Sequence, residues 1–593
     1  MKYNERAFYH AVSYYKERLK GKVGGKTVFV LSDLKNKEAF YSIAPLSRAI
    51  HELNGDMHVI VKDKVFSNAK ILSDVWFVYH DLQRKLKTKK VRALSNFIKS
   101  VNKRTNTKVF KDLFKRPEIM LHSEKDGFEG TIDLNYHYRW HRRHKFELLL
   151  KTAGKILKQG FNLKKTDILN MGFVLIPKKE DLELPLEDYL DSYSIALAMA
   201  LAAKKLKGKV NLGAVTDRFS LLARPVRTAD LLATLKGCYL DRDIDEDVFK
   251  KFKVLAKLLK LERLTFQTAG FGIHAKGYFG KHFFGDEIGY PTLNKKTRWS
   301  SPGQIMLKDP FSPQTKFETR DPMMRYAITE TLPIDTFIET CNINYNTLRK
   351  TSDKIRNIFN KCKHIRVVGK TIDHYKTDFI VHLLDEKGKR RDFISSDCDV
   401  KNIIDKQYFQ DTGIKAGTFA NFPSGEAFCT PEKVIGSIVG DVVINIDQSH
   451  VIPENNPIIV EFTEKGYKLV KVPSKIKKIM QKVLNESRQK IKTYEKSRSL
   501  PKEVIQIYKR NFKSVGEFAV NTNPKAKLSN YLIVNEKIAR MIHIALGSGF
   551  EPDKKTLYHW DIVINSPRQK LDVYGVDKRN KVYWVIKKGE LVV

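Results

Sequence analysis

The chain has 593 residues, 42% of them hydrophobic and 11% aromatic, which excludes disorder over its whole length and predicts about three or four domains. Its 108 Lys and Arg residues outnumber 67 Asp and Glu residues, and the formal net charge of +41 favours contact with polyanions without indicating a fold. Five cysteines without a Cys-x-x-Cys pair argue against a disulfide framework and a thiolate zinc site, so we expect a cytoplasmic protein. The first residues lack the apolar core of a signal peptide, and no apolar run reaches the length of a membrane span, so no membrane contact is expected.

The N-terminal elements follow a strand–helix–strand pattern. Residues 27–32 predict a buried strand, and apolar residues between Ala39 and Leu53 recur at helical spacing. Residues 57–61 predict a second strand. This order of elements implies a parallel α/β sheet.

The middle of the chain is basic, and its pattern is largely helical. Helices are predicted over 83–118, 186–207 and 247–261, the second nearly apolar and therefore buried. The histidines within 136–146 have helical metal-ligand spacing, but the arginines around them would repel a cation, so we favour a solvated face over an anion site. Residues 270–325 are rich in Gly, Pro and aromatic residues without clear periodicity, which is typical of a lid or binding loop.

The last part of the chain begins with a helical pattern over 334–362, after which short strands and turns predominate. Two further helices are predicted at 474–495 and 535–546, the second with Asn535 as its N-cap. Residues 571–593 alternate through two turns and predict an antiparallel meander.

The segment His559-Trp560-Asp561 is the first candidate for chemistry. It lies in a strand-like run, where alternate residues share a face, so His559 and Asp561 project together while Trp560 points the other way. An imidazole beside a carboxylate on a rigid element suits a metal ion. A hydrogen-bonded His–Asp pair at the surface is the commoner explanation for such a segment taken alone.

Two acids and a histidine are further candidates. Glu517 lies in a strand-like apolar run, on a predicted face that also carries Val515 and Ala519, and an acid there is costly to bury unless it is paired or metal-bound. His543 lies on the predicted helix 535–546, where a hydrogen-bonded core histidine is the simpler explanation. Glu426 follows a turn with Pro and Gly that presents it at the edge of a structural element.

Taken in order, four segments resemble the aminopeptidase T (leucyl aminopeptidase) family of metallopeptidases. They are Asn-Phe-Pro-Ser-Gly-Glu-Ala-Phe, Val-Gly-Glu-Phe-Ala-Val, His-Ile-Ala-Leu-Gly and His-Trp-Asp. The resemblance covers about 334–593 and is faint over the N-terminal strand–helix–strand unit. It implies two divalent metal ions, either Zn, Co or Mn, and these ligands: Glu426, Glu517, His543, His559 and Asp561.

Two positions depart from the family pattern. Phe550 stands where many members have a tyrosine, and Gly425 stands where some have a second acid. Tyr558 is the candidate to replace the missing hydroxyl, beside Glu426 and Glu517 as catalytic residues, although strand alternation points it away from His559. The ligands are thus intact while their acid–base surroundings differ, which makes metal binding a firmer expectation than peptidase activity.

The expected architecture combines α/β and α+β parts. A parallel-sheet α/β domain spans 1–80 and is completed by 331–362, a basic and largely helical insertion with a Gly- and aromatic-rich loop region spans 81–330, and an α+β metal-binding peptidase domain spans 363–593. The resemblance implies an aminopeptidase acting on short peptides, and a homodimer. The alternative is a weakened or inactive homologue whose basic insertion binds RNA or another polyanion. A two-metal hydrolase of another amide is a third hypothesis.

Overall fold

A computed structural model of the chain describes residues 3–33, 37–62, 119–122, 140–141, 144–160, 163, 168–182, 185–215, 270–274, 324–328, 332–372, 374–396, 419–446, 448–497, 502–549, 552–554 and 556–593. The chain divides into two compact units, the first made of 1–308 with 323–338 and the second of 309–322 with 339–593. Helices and sheets are mixed in both units, as predicted. None of the helices in the described ranges is long and apolar enough to cross a membrane.

The first unit contains a mixed sheet, whose described strands are β1 (Thr27–Asp33), β2 (Asp56–Lys62), β3 (Ile119–His122), β4 (Ile168–Val174), β5 (Lys209–Val215), β6 (Gly270–His274) and β7 (Met324–Ile328). They lie in the order β7-β6-β4-β5-β2-β1-β3. The pairs β1–β2, β1–β3 and β4–β5 are parallel, whereas β2–β5, β4–β6 and β6–β7 are antiparallel. The prediction of a parallel sheet is therefore correct for only some of the strand pairs, and the sheet as a whole is mixed.

Strands from within 81–330 thus belong to the same sheet as β1 and β2. The boundaries of the predicted insertion stay a prediction, because most of that segment lies outside the described residues. The predicted helices 83–118 and 247–261 and most of 270–325 also lie outside them.

The described helices of the first unit are Glu5–Leu19, Lys37–Glu52, Phe146–Lys155 with a π-helical turn Ile156–Gly160, Leu186–Lys205 and Ile334–Cys341. The last three residues of Ile334–Cys341 belong to the second unit. Leu186–Lys205 confirms the predicted buried helix, and most of its side chains are buried. Its first turn carries Glu187 and Asp188 and its last turn two lysines, an arrangement that complements the helix dipole.

The second unit contains two antiparallel sheets. The strands of the first, here called the site sheet, are in spatial order β10 (Ile394–Ser396), β12 (Glu426–Cys429), β18 (Val515–Asn521), β19 (Met541–Gly547), β20 (His559–Asn565), β14 (Val443–Asn445) and β15 (Ser449–Val451). A short strand, β11 (Phe419–Asn421), precedes β12 in the chain. The strands of the second sheet are in spatial order β17 (Gly466–Lys471), β16 (Ile458–Thr463), β13 (Lys433–Gly440), β9 (Tyr375–His382), β8 (Cys362–Ile372), β21 (Asp572–Asp577), β22 (Val582–Lys587) and β23 (Glu590–Leu591).

One hydrophobic core joins the two sheets. Phe379 and Val381 of the second sheet and Phe518, Ile544 and Ile562 of the site sheet are all buried in it. Because alternate residues of a strand point to opposite faces, the residues between these in the site sheet are directed away from the core. The polar side chains of interest lie on that second face.

The helices of the second unit are Tyr345–Phe359, Ser474–Ser497, Lys502–Arg510, Leu532–Asn535 and Ser566–Gln569, with a 3-10 turn at Pro552–Lys554. Ser474–Ser497 confirms the predicted helix 474–495. The pattern over 334–362 forms two helices instead of one, and Asn344 caps the second by accepting backbone hydrogen bonds from Asn346 and Thr347. Strands β21 to β23 confirm the closing meander.

The predicted helix 535–546 is wrong. Asn535 ends the short helix Leu532–Asn535 and its side chain accepts a hydrogen bond from the Ser529 backbone at 2.8 Å, while the apolar run that follows forms β19. That strand lies between β18 and β20 and is buried on both faces, so its sequence is apolar apart from His543. A short apolar run of this kind cannot be told from a buried helix by periodicity alone.

Candidate metal centre

The five predicted ligands meet on one face of the site sheet. The register of β18, β19 and β20 places Ala545 between Glu517 and Asp561, and its small side chain leaves the space between the two carboxylates open. Trp560 of β20 is buried in the core on the opposite face, as its predicted alternation with His559 required.

A β-bulge in β18 sets the direction of Glu517. The register with β19 shifts between Val515 and Glu517, and Val515 packs into the core. The prediction that Val515 shares a face with Glu517 is therefore wrong. Gly516 lies in the bulge, and a Cβ there would stand 1.9 Å from the backbone oxygen of Ser548. Only glycine allows this close approach, so the bulge depends on Gly516.

The side chains form two groups that share Glu517. In one, His543 Nε2 lies 3.3 Å from Glu517 Oε1 and 3.8 Å from Glu426 Oε2. In the other, His559 Nε2 lies 3.5 Å from Glu517 Oε2 and 3.1 Å from Asp561 Oδ1. Within each group of three residues, one potential ligand atom from each lies within 4.8 Å of the others.

Both imidazoles are held by their second nitrogen. His543 Nδ1 lies 2.8 Å from Asn521 Oδ1, and His559 Nδ1 lies 2.7 Å from the Ser548 carbonyl oxygen. Because both partners accept, each Nδ1 carries the donated proton and each Nε2 faces the carboxylates. This is the orientation in which imidazoles bind metal ions in proteins.

Protons on the imidazoles balance the carboxylates when no cation is present. Burial opposes charging of His559, but Asp561 and Glu517 outweigh it and raise its pKa to about 10. The pKa of His543 is also raised, because its carboxylate neighbours outweigh its burial. Against burial, His559 holds the pKa of Asp561 below its usual range. Cations bound at the two Nε2 atoms could take over this balancing role from the protons.

Two residues that sequence reasoning missed extend the cluster. Lys537, 1% exposed, donates to Glu426 Oε2 at 2.7 Å and contacts Glu536 Oε2 at 3.3 Å. Glu536 accepts a hydrogen bond from Asn445 Nδ2 at 3.0 Å, and burial and the nearby Asp561 raise its pKa to about 8. The prediction of a helix from Asn535 placed both residues in its first turn, where charged residues are common, and so gave no reason to assign them to the cluster.

The described residues include Gly425, one of the two departures from the family pattern, and Tyr558, the candidate to replace the missing hydroxyl. Tyr558 points into the core, where its hydroxyl donates to the Phe512 carbonyl and lies 2.7 Å from the Tyr467 hydroxyl. Gly425 has φ +128°, and a Cβ there would stand 2.8 Å from the Asn523 nitrogen, so an acid at this position would be strained. Phe550 lies outside the described residues.

The residues fit a divalent metal ion. Two ligand atoms that are each about 2.1 Å from a tetrahedral ion are about 3.4 Å apart, and the nitrogen–oxygen distances in the two groups are 3.1 to 3.8 Å. Asp561 Oδ1 is buried without a hydrogen-bond partner, an arrangement that a cation would satisfy. Mixed carboxylate and imidazole donors suit Zn, Co or Mn better than Mg.

Comparisons with known proteins add little to this geometry. No protein-family model and no curated protein matches the chain. One solved structure that it resembles is wild-type AmpT from Thermus thermophilus, at 13% identity over 76% of this chain and 100% of that chain, with a TM-score of 0.35. A similarity that distant carries no argument about function.

Proposed function

We propose that this chain is a divalent-metal-dependent hydrolase that cleaves the N-terminal peptide bond of short peptides. The observation that carries the proposal is the pair of carboxylate–imidazole groups that share Glu517. Five residues from four separate segments face one another there, and these are the residues on which the resemblance to the aminopeptidase T family rests.

Each side chain has a distinct task in this proposal. His543 and His559 would hold cations through Nε2, Glu517 would lie between the two positions, and Glu426 and Asp561 would complete them. When bound, divalent ions lower the pKa of a water molecule and polarise a carbonyl group.

Glu517 is the residue to which we assign the joining of the two cation positions, because one of its oxygens faces each imidazole. Its side chain is 16% exposed, against 3% for Glu426 and 8% for Asp561, so it is the most accessible carboxylate of the two groups. A carboxylate of the cluster could pair with the free ammonium group of a peptide, which would favour cleavage after the first residue. Tyr558 is not assigned a role, because its hydroxyl is bonded within the core.

The test is release of the N-terminal residue from a dipeptide panel in the presence of Zn, Co or Mn. We expect release from dipeptides with a free amine, little from their N-acetylated forms, and at least a ~100-fold loss of kcat/KM in Glu517→Gln. Glu461→Gln, at an exposed position on β16, is the matched control and should keep full activity. Metal binding without release from any peptide would reject the peptidase proposal.

Polyanion binding is the second candidate function, and the net charge of +41 favours it. Within the second unit, the helix Ser474–Ser497 carries many exposed lysines. Binding of RNA through such charges should weaken steeply as salt is added, because counterions are released, while hydrolysis of a neutral dipeptide should hardly change. Hydrolysis of an amide other than a peptide is tested by the same assay with non-peptide amides, and the homodimer stays a prediction.

A further inference from the structure

The Lys537 ammonium lies where it would compete with one of the two cations. It donates to Glu426 Oε2 at 2.7 Å, and the same oxygen is the one nearest His543 Nε2, at 3.8 Å. An ion bound to that oxygen at about 2.1 Å could be no more than about 4.8 Å from Lys537 Nζ. At this distance in a buried site, two positive charges repel each other strongly.

The Glu517–His559–Asp561 group differs in this respect. Asp561 forms its ion pair with His559, and within the described ranges no lysine or arginine is paired with it. Its Oδ1 is buried and accepts no hydrogen bond. In the described part of the chain, a cation therefore finds no lysine ammonium beside the carboxylates of this group, whereas it finds Lys537 beside Glu426 in the other.

The charges of the whole cluster lead to the same result. The two groups contain three carboxylates, those of Glu426, Glu517 and Asp561. When the imidazoles are neutral, these carboxylates carry at most three negative charges, fewer than the four positive charges of two divalent ions. Lys537, which is 1% exposed and paired with Glu426, already neutralises one of the three. One divalent ion is therefore well compensated and a second one is not.

We propose that Lys537 makes the two cation positions unequal, so that one ion binds tightly at Glu517–His559–Asp561 and a second binds weakly and exchangeably at Glu426–Glu517–His543. The inference rests on the proposed metal centre. Lys537 is a positioning residue here, since it acts through Glu426. The centre then holds one ion permanently, and occupation of the second position depends on the free metal concentration.

The test is equilibrium dialysis of the metal-free full-length chain against Zn or Mn, with elemental analysis of the bound metal. We expect one tightly bound ion per chain and a second at least tenfold weaker. His559→Ala should remove the tight ion, whereas His543→Ala should leave it. Lys537→Met should strengthen the second ion at least tenfold, because Glu426 loses its ammonium partner.

Two variants serve as controls. Lys537→Arg keeps the charge and should keep the wild-type ratio of affinities, while Lys527→Met removes a lysine that is 75% exposed and should change neither affinity. Two ions of equal affinity in the wild type, or an unchanged second ion in a folded Lys537→Met, would overturn the inference and leave the metal centre standing. If Lys537→Met does not fold, the wild-type ratio and the two histidine variants decide. A wild type that binds no ion overturns both proposals.

Discussion

Substitution of Glu517 by Gln should abolish the stabilisation of the protein by metal ions. Glu517 is the residue common to both groups, with its two oxygens 3.3 and 3.5 Å from the imidazole nitrogens of His543 and His559. Gln has nearly the same shape and can still form hydrogen bonds, but it carries no charge and is a poor metal ligand.

The size of the effect follows from the linkage between binding and folding. A metal ion at 100 times its dissociation constant stabilises the folded state by about 2.7 kcal/mol. For a folding unit of roughly 250 residues, this raises Tm by about 5 to 11 °C. If the substitution weakens binding by about 100-fold, the same metal concentration contributes only about 0.4 kcal/mol, or roughly 1 °C.

The assay is differential scanning calorimetry of each variant with and without metal, and the quantity compared is the metal-induced change in Tm. This difference cancels the direct effect of the substitution on the metal-free protein. Glu461→Gln removes an exposed carboxylate of the same unit and should retain the full change. If Glu517→Gln also retained it, the metal ions would be bound elsewhere and the reasoning would fail.

Three further predictions concern the surroundings of the centre. The pKa of His559 is raised to about 10 in the metal-free protein, so at pH 7 a metal ion must displace its proton. Metal affinity should therefore rise by about tenfold per pH unit below pH 10 for each proton released. Calorimetry in two buffers of different ionisation enthalpy measures this release, and its absence would contradict the placement of a metal ion at His559. Tyr558→Phe should lower the free energy of unfolding by about 1 kcal/mol, because the hydrogen bonds of the hydroxyl are lost, and should change kcat/KM by less than about twofold. A large loss of kcat in a stable variant would show that Tyr558 takes part in the reaction. Gly516→Ala should lower the free energy of unfolding by about 1–3 kcal/mol and reduce the metal-induced Tm change, because its Cβ would stand 1.9 Å from the Ser548 oxygen. Gly154→Ala is the control. Its Cβ, in the helix Phe146–Lys155, would have no atom within 4 Å, so this variant should not be destabilised.

The faces of regular strands could be predicted from the sequence. The alternation of His559, Trp560 and Asp561 gave the correct directions, because β20 is regular and its partners are aligned with it. Glu517 was expected on the face of Val515 and lies on the other one, because the bulge at Gly516 inserts an extra residue. A bulge is determined by contact with another strand, here the Ser548 backbone, which local periodicity does not contain.

Lys537 and Glu536 could not be assigned to the centre from local sequence. Both precede β19 by only a few residues, and their partners are distant along the chain: Lys537 pairs with Glu426, 111 positions away, and Glu536 with Asn445, 91 positions away. Charged residues after an asparagine fit the first turn of a helix, so the pattern favoured the wrong element. The mixed order of the N-terminal sheet was hidden for a related reason, because strand pairing over long separations is set by tertiary contacts.

Anomalous diffraction from crystals of the zinc-saturated protein tests the central claim most directly. We predict a strong anomalous peak about 2.0–2.2 Å from His559 Nε2 and from oxygens of Glu517 and Asp561. A weaker peak should lie beside His543 Nε2. Zinc-saturated crystals with His559 Nε2 bonded directly to a carboxylate, and no peak between these side chains, would contradict the account.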